Sequence, residues 1–248
     1  MKSSKLYAII SDVHGNETAF AAVLEYIAGT GAAEIYCLGD LVGYGQGAAA
    51  CVKMAQKHNV RCLQGNHDAQ VQPPRDPRMR AEANISLDHA LQQLSTSQVE
   101  WLKSLPISRV VDNHMILVHG ALTGRDDYIL TQQAIQENLA LLVEKYPECQ
   151  LAFFGHSHLA LVAVGDKVRM RFPETDIVTL KPGERYLINP GSVGQPRDEV
   201  PLASFALYDA AESQVIIVRI AYDIEEEQRR MQRAGLPQKL WLRLALGK

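Results

Sequence analysis

The sequence predicts an α/β fold, and three observations predict it. Strand-like and helix-like patterns alternate over the first quarter of the chain. Short strand-and-turn patterns fill most of the second half. The 248 residues are 47% hydrophobic, enough for a sizeable core in one domain spanning 1–248. Leu6 to Ser11 is a short apolar run ended by polar residues, a buried strand. Glu17 to Thr30 carries Phe20, Val23, Leu24 and Ile27 at helical spacing, with Gly29 and Gly31 at its end. Glu34 to Leu38 is a second strand, Gly47 to His58 a second helix, and Val60 to Leu63 a third strand. Strand, helix, strand, helix, strand implies parallel pairing with right-handed crossovers.

The segment 73–105 opens with Pro73, Pro74 and Pro77 and then turns helical, with Leu87, Leu91 and Leu94 on one face and a second helix from Ser97. It is expected to be a helical insertion flanking the functional site. Ile107 to Val111 and Met115 to His119 form strands around an Asp112-Asn113 turn. Thr131 to Tyr146 is a helix and Leu151 to Phe154 a strand, and antiparallel hairpins are expected from Leu159 to Ile188. Ala203 to Asp209 pairs with Gln214 to Ala221, and a helix broken at Gly235 and Pro237 closes the chain, its Leu240 to Leu246 stretch serving as core or as a dimer face.

Charge excludes some functions. A formal charge of -3 from 25 basic and 28 acidic residues gives no surface for coating nucleic acid. No segment approaches the length of a membrane span. Met1 to Lys5 is too short and polar to open a signal peptide, and Cys37, Cys51, Cys62 and Cys149 form no C-x-x-C pair. Reduced, buried thiols and a cytoplasmic location are expected. The oligomeric state is left open.

The chemistry sits directly after the strands. Asp12 and His14 follow the first, Asp40 the second, and Asn66, His67 and Asp68 the third; His119 and the pair His156 and His158 follow later ones. Loops at the carboxyl ends of parallel strands converge on one crevice. Carboxylates and imidazoles crowded there are costly without a cation. Oxygen and nitrogen donors without thiolate suit Mn²⁺, Fe²⁺ or Zn²⁺. Seven donors exceed the needs of one ion, whereas two ions about 3.5–4 Å apart that share a carboxylate accommodate them. In Asp12-Val13-His14 and His156-Ser157-His158, residues two apart in extended chain point the same way. Gly15, Gly39, Gly65, Gly120 and Gly155 are expected to let the backbone turn sharply beside the ions.

The ordered set D-x-H, G-D, G-N-H-D, H-G and G-H-x-H resembles the calcineurin-like metallophosphoesterase superfamily. The Asn189 to Gly194 run, Asn-Pro-Gly-Ser-Val-Gly, is similar to its small bacterial and archaeal phosphodiesterase branch. The resemblance implies a four-layer α-β-β-α sandwich of two mixed sheets flanked by helices. It implies two divalent metal ions, manganese first and iron, zinc, nickel or magnesium as alternatives. Asp12, His14 and His158 would hold one ion, Asn66, His119 and His156 the other, and Asp40 would bridge them. His67 would not be a ligand; it would face the substrate and either protonate the leaving oxygen or stabilise transition-state charge. The implied activity is hydrolysis of a small phosphoester or nucleotide by water activated between the ions.

The sequence departs from the pattern of phosphoprotein phosphatases, G-D-x-V-D-R-G, by carrying Gly43 and Tyr44 where they have aspartate and arginine. Tyrosine offers no bidentate fork for a monoester dianion. Diesters or aryl esters are therefore favoured, with a dinucleoside polyphosphate as an alternative. Arg197 either reaches the substrate or forms a surface ion pair; Tyr44 either touches substrate or packs on its loop. Asp68 either orients a ligand histidine or braces the loop. His58, His89 and His114 have no motif context, and Arg75, Arg78 and Arg80 are expected on a solvated face. The rival to an enzyme is a silent scaffold of the same fold, against which the complete donor set counts.

Overall fold

The computed structural model describes residues 5–170 and 172–248; the polar lead-in at 1–4 lies outside the described residues. Two six-stranded mixed sheets stack face to face. The first contains β1 (Leu6–Ile10), β2 (Glu34–Cys37), β3 (Arg61–Cys62), β9 (Asp176–Thr179), β11 (Ala203–Asp209) and β12 (Gln214–Ile220). Its order is β3-β2-β1-β11-β12-β9, with β1, β2 and β3 parallel and the remaining pairs antiparallel. The second contains β4 (Ser108–Val111), β5 (Met115–Val118), β6 (Leu151–Phe153), β7 (Ala160–Val164), β8 (Lys167–Met170) and β10 (Tyr186–Pro190). Its order is β4-β5-β6-β10-β7-β8, and β5, β6 and β10 run parallel.

The apolar run of β1 is continuous because both of its faces are covered. Ala8 and Ile10 point into a core shared with the helices, and Tyr7 and Ile9 into the core between the sheets. The outer layer over the first sheet holds α1 (Glu17–Ala28), α2 (Ala48–Lys57), α4 (Ala81–Gln93) and α5 (Thr96–Ser104), with the single-turn α3 (Asn66–Ala69) between α2 and α4 in the chain. On the far side α6 (Gln132–Lys145) packs Ile135, Leu139 and Leu142 against the second sheet. The layers are therefore helices, sheet, sheet and helix, as expected. Asn16 caps α1, accepting from the Ala19 N–H, and Ser95 caps α5 with Gln98 returning the bond, so both helix starts are written locally.

Segment 73–105 packs Leu87, Ala90, Leu94, Val99 and Leu102 into the same core as α1 and α2, while its start lines the cleft described below. The expectation of a solvated basic run holds for Arg78 and Arg80, which are exposed, and is corrected for Arg75. The Arg75 side chain is tied down by bonds to the carbonyls of Gln70, Val71 and Asn84 and to Asp88, whereas Arg78 keeps an exposed ion pair with Asp76. Between Leu159 and Ile188, β7 and β8 form a hairpin, but β9 crosses to the other sheet and pairs with β12. Phe172 and Leu180, buried between the sheets, anchor that crossing. The chain closes with α7 (Ile224–Arg233), α8 (Gln238–Leu242) and a 3-10 turn, Arg243–Leu246. Leu240 and Leu244 join Met231 and Leu236 in a small core against Tyr44, while Leu242 and Leu246 stay exposed. All four cysteines are buried and free. Among the described residues no helix is long and apolar enough to cross a membrane.

Candidate metal centre

The donor-rich loops leave the carboxyl ends of parallel strands in both sheets: β1, β2 and β3 in one, β5 and β6 in the other. The crevice therefore straddles the stacked sheets instead of lying along one. Asp12, His14, Asp40, His119, His156 and His158 are all buried at its floor. Their donor atoms cluster in triads: Asp12 with His14 and His158, Asp40 with His119 and His156, and His14 with Asp40 and His67.

Asp40 Oδ2 stands between the groups, 3.5 Å from His14 Nε2 and 3.4 Å from His119 Nε2. Its other oxygen accepts from the His67 N–H at 2.8 Å. Asp12 Oδ1 lies 3.7 Å from His14 Nε2 and 3.4 Å from His158 Nε2, while Oδ2 accepts from Ser11 Oγ at 2.6 Å and from the His156 N–H at 3.0 Å. Asn66 Oδ1 is 3.1 Å from His119 Nε2.

Three histidines are oriented in one way. Nδ1 of His14, His119 and His158 meets the carbonyls of Val42, Leu38 and Gln195 at 3.1, 3.1 and 2.6 Å. Such a bond places the proton on Nδ1 and leaves the Nε2 lone pair facing the crevice. His156 is held differently, by stacking on Tyr128 with ring centroids 3.9 Å apart.

This arrangement fits divalent cations. His14 Nε2 and His158 Nε2 face each other at 3.0 Å although each Nδ1 already has an acceptor. Two lone pairs at that distance repel unless a cation or an extra proton lies between them. Asp12 Oδ1 and His156 Nε2 are buried without hydrogen-bond partners among the described residues. Oxygen and nitrogen donors on three acidic or amide side chains and four imidazoles suit borderline-hard metals.

Electrostatics point the same way. Burial pushes His14 and His158 well below the usual histidine range, and His156 down to about 3, which keeps these imidazoles neutral. Burial also lowers His119, but the Asp40, Asp12 and Asp68 carboxylates more than offset it and raise it to about 9. Burial raises Asp12 to about 6. For Asp40 the burial penalty is outweighed by His119, His67 and His14, and its pKa falls well below the carboxylate range.

The backbone geometry corrects the expectation of extended D-x-H and H-x-H segments. Asp12, His14, Asp40, His156 and His158 all have positive φ, between 50° and 63°. Non-glycine residues reach that region at a cost, which is met here by surrounding bonds and concentrated where donors must converge. The glycines divide in kind. Gly39, at φ 122°, needs its conformational freedom. Gly65 and Gly155 need only to lack a side chain, since a Cβ would overlap Asp40 Oδ1 at one and Ser11 Oγ at the other.

Asp68 is the loop brace: its two oxygens accept from the N–H groups of Asp40, Leu41, Val42 and Gly65 at 2.7, 2.9, 3.3 and 3.0 Å. His67 lies 4.8 Å from the His14 ring and 4.6 Å from the Tyr44 ring, and its Nδ1 is buried without a hydrogen-bond partner among the described residues. A Cβ at Gly43, where φ is 91°, would overlap that Nδ1 with the ring as it stands, so the glycine and the present His67 ring position go together. Tyr44 both packs on the loop and lines the cleft, with Arg197 Cζ 5.6 Å above its ring. Among the described residues Arg197 forms no ion pair; it donates to Gln195 Oε1 at 3.1 Å, and its Nε is buried and unpartnered. The cleft of about 420 Å³ above the floor is lined by Tyr44, Asn66, His67, Arg80, Tyr128 and Arg197 among others.

Sequence reasoning missed Ser11, Tyr128 and Gln195. Ser11 and Gln195 adjoin motif residues, which was the available signal; Tyr128 had none. The Asn189–Gly194 run proves to be a staple. Asn189 Nδ2 donates to the Gly155 carbonyl at 2.8 Å and Ser192 Oγ to the Asp12 carbonyl at 2.8 Å, tying the two metal-facing loops together.

Two stacked mixed sheets with a buried carboxylate–imidazole cluster across their strand ends define a metal-dependent hydrolase. The chain belongs to the calcineurin-like phosphoesterase superfamily, whose domain model matches residues 6–213. A metallophosphoesterase from Sphaerobacter thermophilus superposes with a TM-score of 0.84 at 31% identity, over 99% of this chain and 100% of its own. The protein MJ0912 of Methanocaldococcus jannaschii, itself uncharacterized, is 31% identical over 254 residues, 98% of each chain. The Pyrococcus horikoshii protein PH1004 shares the fold, with a TM-score of 0.81 at 20% identity over 98% of each chain. The protein is thus a metal-dependent phosphoesterase by family.

Proposed function

We propose that the protein hydrolyses phosphodiesters with two divalent cations, manganese foremost. The observation that carries this is the position of Asp40 Oδ2, 3.5 and 3.4 Å from an imidazole of each donor group. Asp12, His14 and His158 would hold one cation, Asn66, His119 and His156 the other, and Asp40 would serve both. Bound there, the cations supply Lewis acidity, which lowers the pKa of water and neutralises phosphate charge.

The chain's own groups do the rest. Carbonyl-anchored imidazoles hold their lone pairs in place before substrate arrives, so no reorganisation is needed. His67, buried at the cleft wall beside Asp40, presents an imidazole to the leaving oxygen. Burial lowers its pKa, with the Asp40 carboxylate working against that shift, so the ring is neutral near pH 7 and acts through its N–H. Arg197, held over Tyr44, supplies the cationic contact for a phosphate oxygen. A diester presents fewer charged oxygens than a monoester dianion, and one guanidinium without a bidentate arginine at position 44 matches it.

The test uses protein stripped of metal and reloaded with Mn²⁺, assayed on bis-p-nitrophenyl phosphate and on p-nitrophenyl phosphate. Metal-dependent turnover with a higher kcat/KM for the diester is expected. Absence of turnover with every divalent ion despite bound metal would overturn the enzymatic reading in favour of a binding role.

A further inference from the structure

Three of the four candidate ligand imidazoles take their direction from the main chain, and one does not. Nδ1 of His14, His119 and His158 meets the carbonyls of Val42, Leu38 and Gln195. Among the described residues no carbonyl or carboxylate does this for His156, and its Nε2 is buried without a hydrogen-bond partner. Yet His156 stands in the donor triad with Asp40 and His119. An imidazole without a fixed partner on its ring is free to turn about its side-chain torsions, and its lone pair turns with it.

The contact that replaces the missing bond is Tyr128. Its ring lies over the His156 ring with centroids 3.9 Å and planes 23° apart, closer and flatter than the 5.1 Å, 56° contact between His156 and His119. The segment that carries Tyr128 is braced. It leaves β5 through His119 and folds back so tightly that a Cβ at Gly120 would overlap the Arg125 carbonyl. Ala121 and Gly124 exchange main-chain bonds at 2.9 and 3.2 Å, and Thr123 Oγ1 donates to Asp127 Oδ2 at 2.8 Å. The next residue, Ile129, is buried in the core shared with α6, and Thr131 caps that helix. Tyr128 itself is 49% exposed and lines the cleft, so its ring adds little to any core.

Stacking also distinguishes between states of the site. An imidazole that gives its lone pair to a cation takes on part of the positive charge, and the face of a phenol ring is negative. The contact therefore strengthens when the donor group is loaded, and a contact that differs between two states shifts the balance between them. We propose that Tyr128 is a positioning residue for the Asn66, His119 and His156 donor group: its ring fixes the plane of His156 and raises that group's affinity for its cation. This rests on the two-cation reading above. The group of Asp12, His14 and His158 needs no such residue, because both of its imidazoles are anchored on carbonyls.

The test is calorimetric titration of Mn²⁺ into metal-free wild type, Y128F, Y128L and Y128Q, with melting temperatures recorded for each. Wild type should take up two equivalents. In Y128L and Y128Q, which remove the ring in an apolar and a polar form, one equivalent should bind about 10–100-fold more weakly, the scale for losing a group that orients a ligand histidine, while the other keeps its affinity. Y128F keeps the ring and should bind both as wild type does. Turnover of bis-p-nitrophenyl phosphate by Y128L should lose kcat at limiting Mn²⁺ and recover it at saturating Mn²⁺, with KM unchanged. Wild-type affinity for both equivalents in the folded variants overturns the assignment, as does equal weakening of both. A KM that stays raised at saturating Mn²⁺, with metal affinity unchanged, makes Tyr128 a substrate contact instead. A single equivalent in the wild type overturns the two-cation reading itself, and the positioning role with it.

Discussion

Asp68→Ala is expected to damage the metal centre without touching any residue proposed to bind metal. The Asp68 carboxylate is fully buried and accepts four backbone N–H bonds, from Asp40, Leu41, Val42 and Gly65. Truncation leaves those donors without a partner in a region that water does not reach. Each buried orphan costs about 1–3 kcal/mol. If relaxation or an entering water rescues half of them, the loss is still about 2–6 kcal/mol, a large share of a typical domain's stability. Burial and the nearby Asp40 carboxylate raise the Asp68 pKa to about 7, and the N–H donors at both oxygens oppose that rise. Asp68→Asn is therefore no rescue, because its amide turns a donor toward two N–H groups. The loop carrying Asp40 should also loosen, lowering metal affinity at least tenfold. Urea unfolding of the metal-free protein and Mn²⁺ titration of the folded fraction read the two effects. A stability loss under about 1 kcal/mol together with unchanged Mn²⁺ affinity would refute the brace.

His67→Gln should lower kcat by about 10²–10⁴-fold while leaving metal content unchanged, with a smaller loss on p-nitrophenyl esters than on alkyl esters, whose leaving oxygen needs the proton. Lost metal in that variant would make His67 a ligand, consistent with its grouping beside His14 and Asp40. Metal loading should release about one proton per chain near pH 7.5. Without a cation His119 titrates at about 9 and must give up its proton, whereas His156, at about 3, has none to give. Affinity should then rise with pH up to about 9 and drop more steeply below about 6, where Asp12 takes up a proton; calorimetry in two buffers of different ionisation heat would show no proton release near pH 7.5 if the assignment is wrong. The raised His119 pKa also favours the metal-free fold, an effect fully present below its ordinary value of 6.5 and lost as pH climbs through about 9. Gly155→Ala should reduce stability by about 1–3 kcal/mol and weaken metal binding, since its Cβ would overlap Ser11 Oγ, which holds Asp12.

Much of the fold was legible because burial and chain direction are local signals. The run at β1 is apolar throughout since Ala8 and Ile10 face one core and Tyr7 and Ile9 another. The candidate ligands were legible because aspartate and histidine directly after buried strands have few structural uses. Three things were hidden. The split of the parallel strands between two sheets leaves no local mark, so which sheet each donor loop leaves was hidden. The crossing of β9 to pair with β12 depends on Phe172 and Leu180 finding the inter-sheet core, a tertiary event. The positive φ of His14, His156 and His158 is imposed by distant partners; His158, for one, is held by Gln195, 37 residues on. Tyr128 sits in unremarkable local sequence, and only the folded chain brings it beside His156.

The central claim is that Asp40 joins two cation sites. Metal analysis of wild type and Asp40→Ala after Mn²⁺ loading and gel filtration tests it most directly. Two equivalents per wild-type chain, falling to one or fewer in the variant with the fold retained, is the predicted result. A single equivalent in the wild type, or unchanged loading without the Asp40 carboxylate, would contradict it.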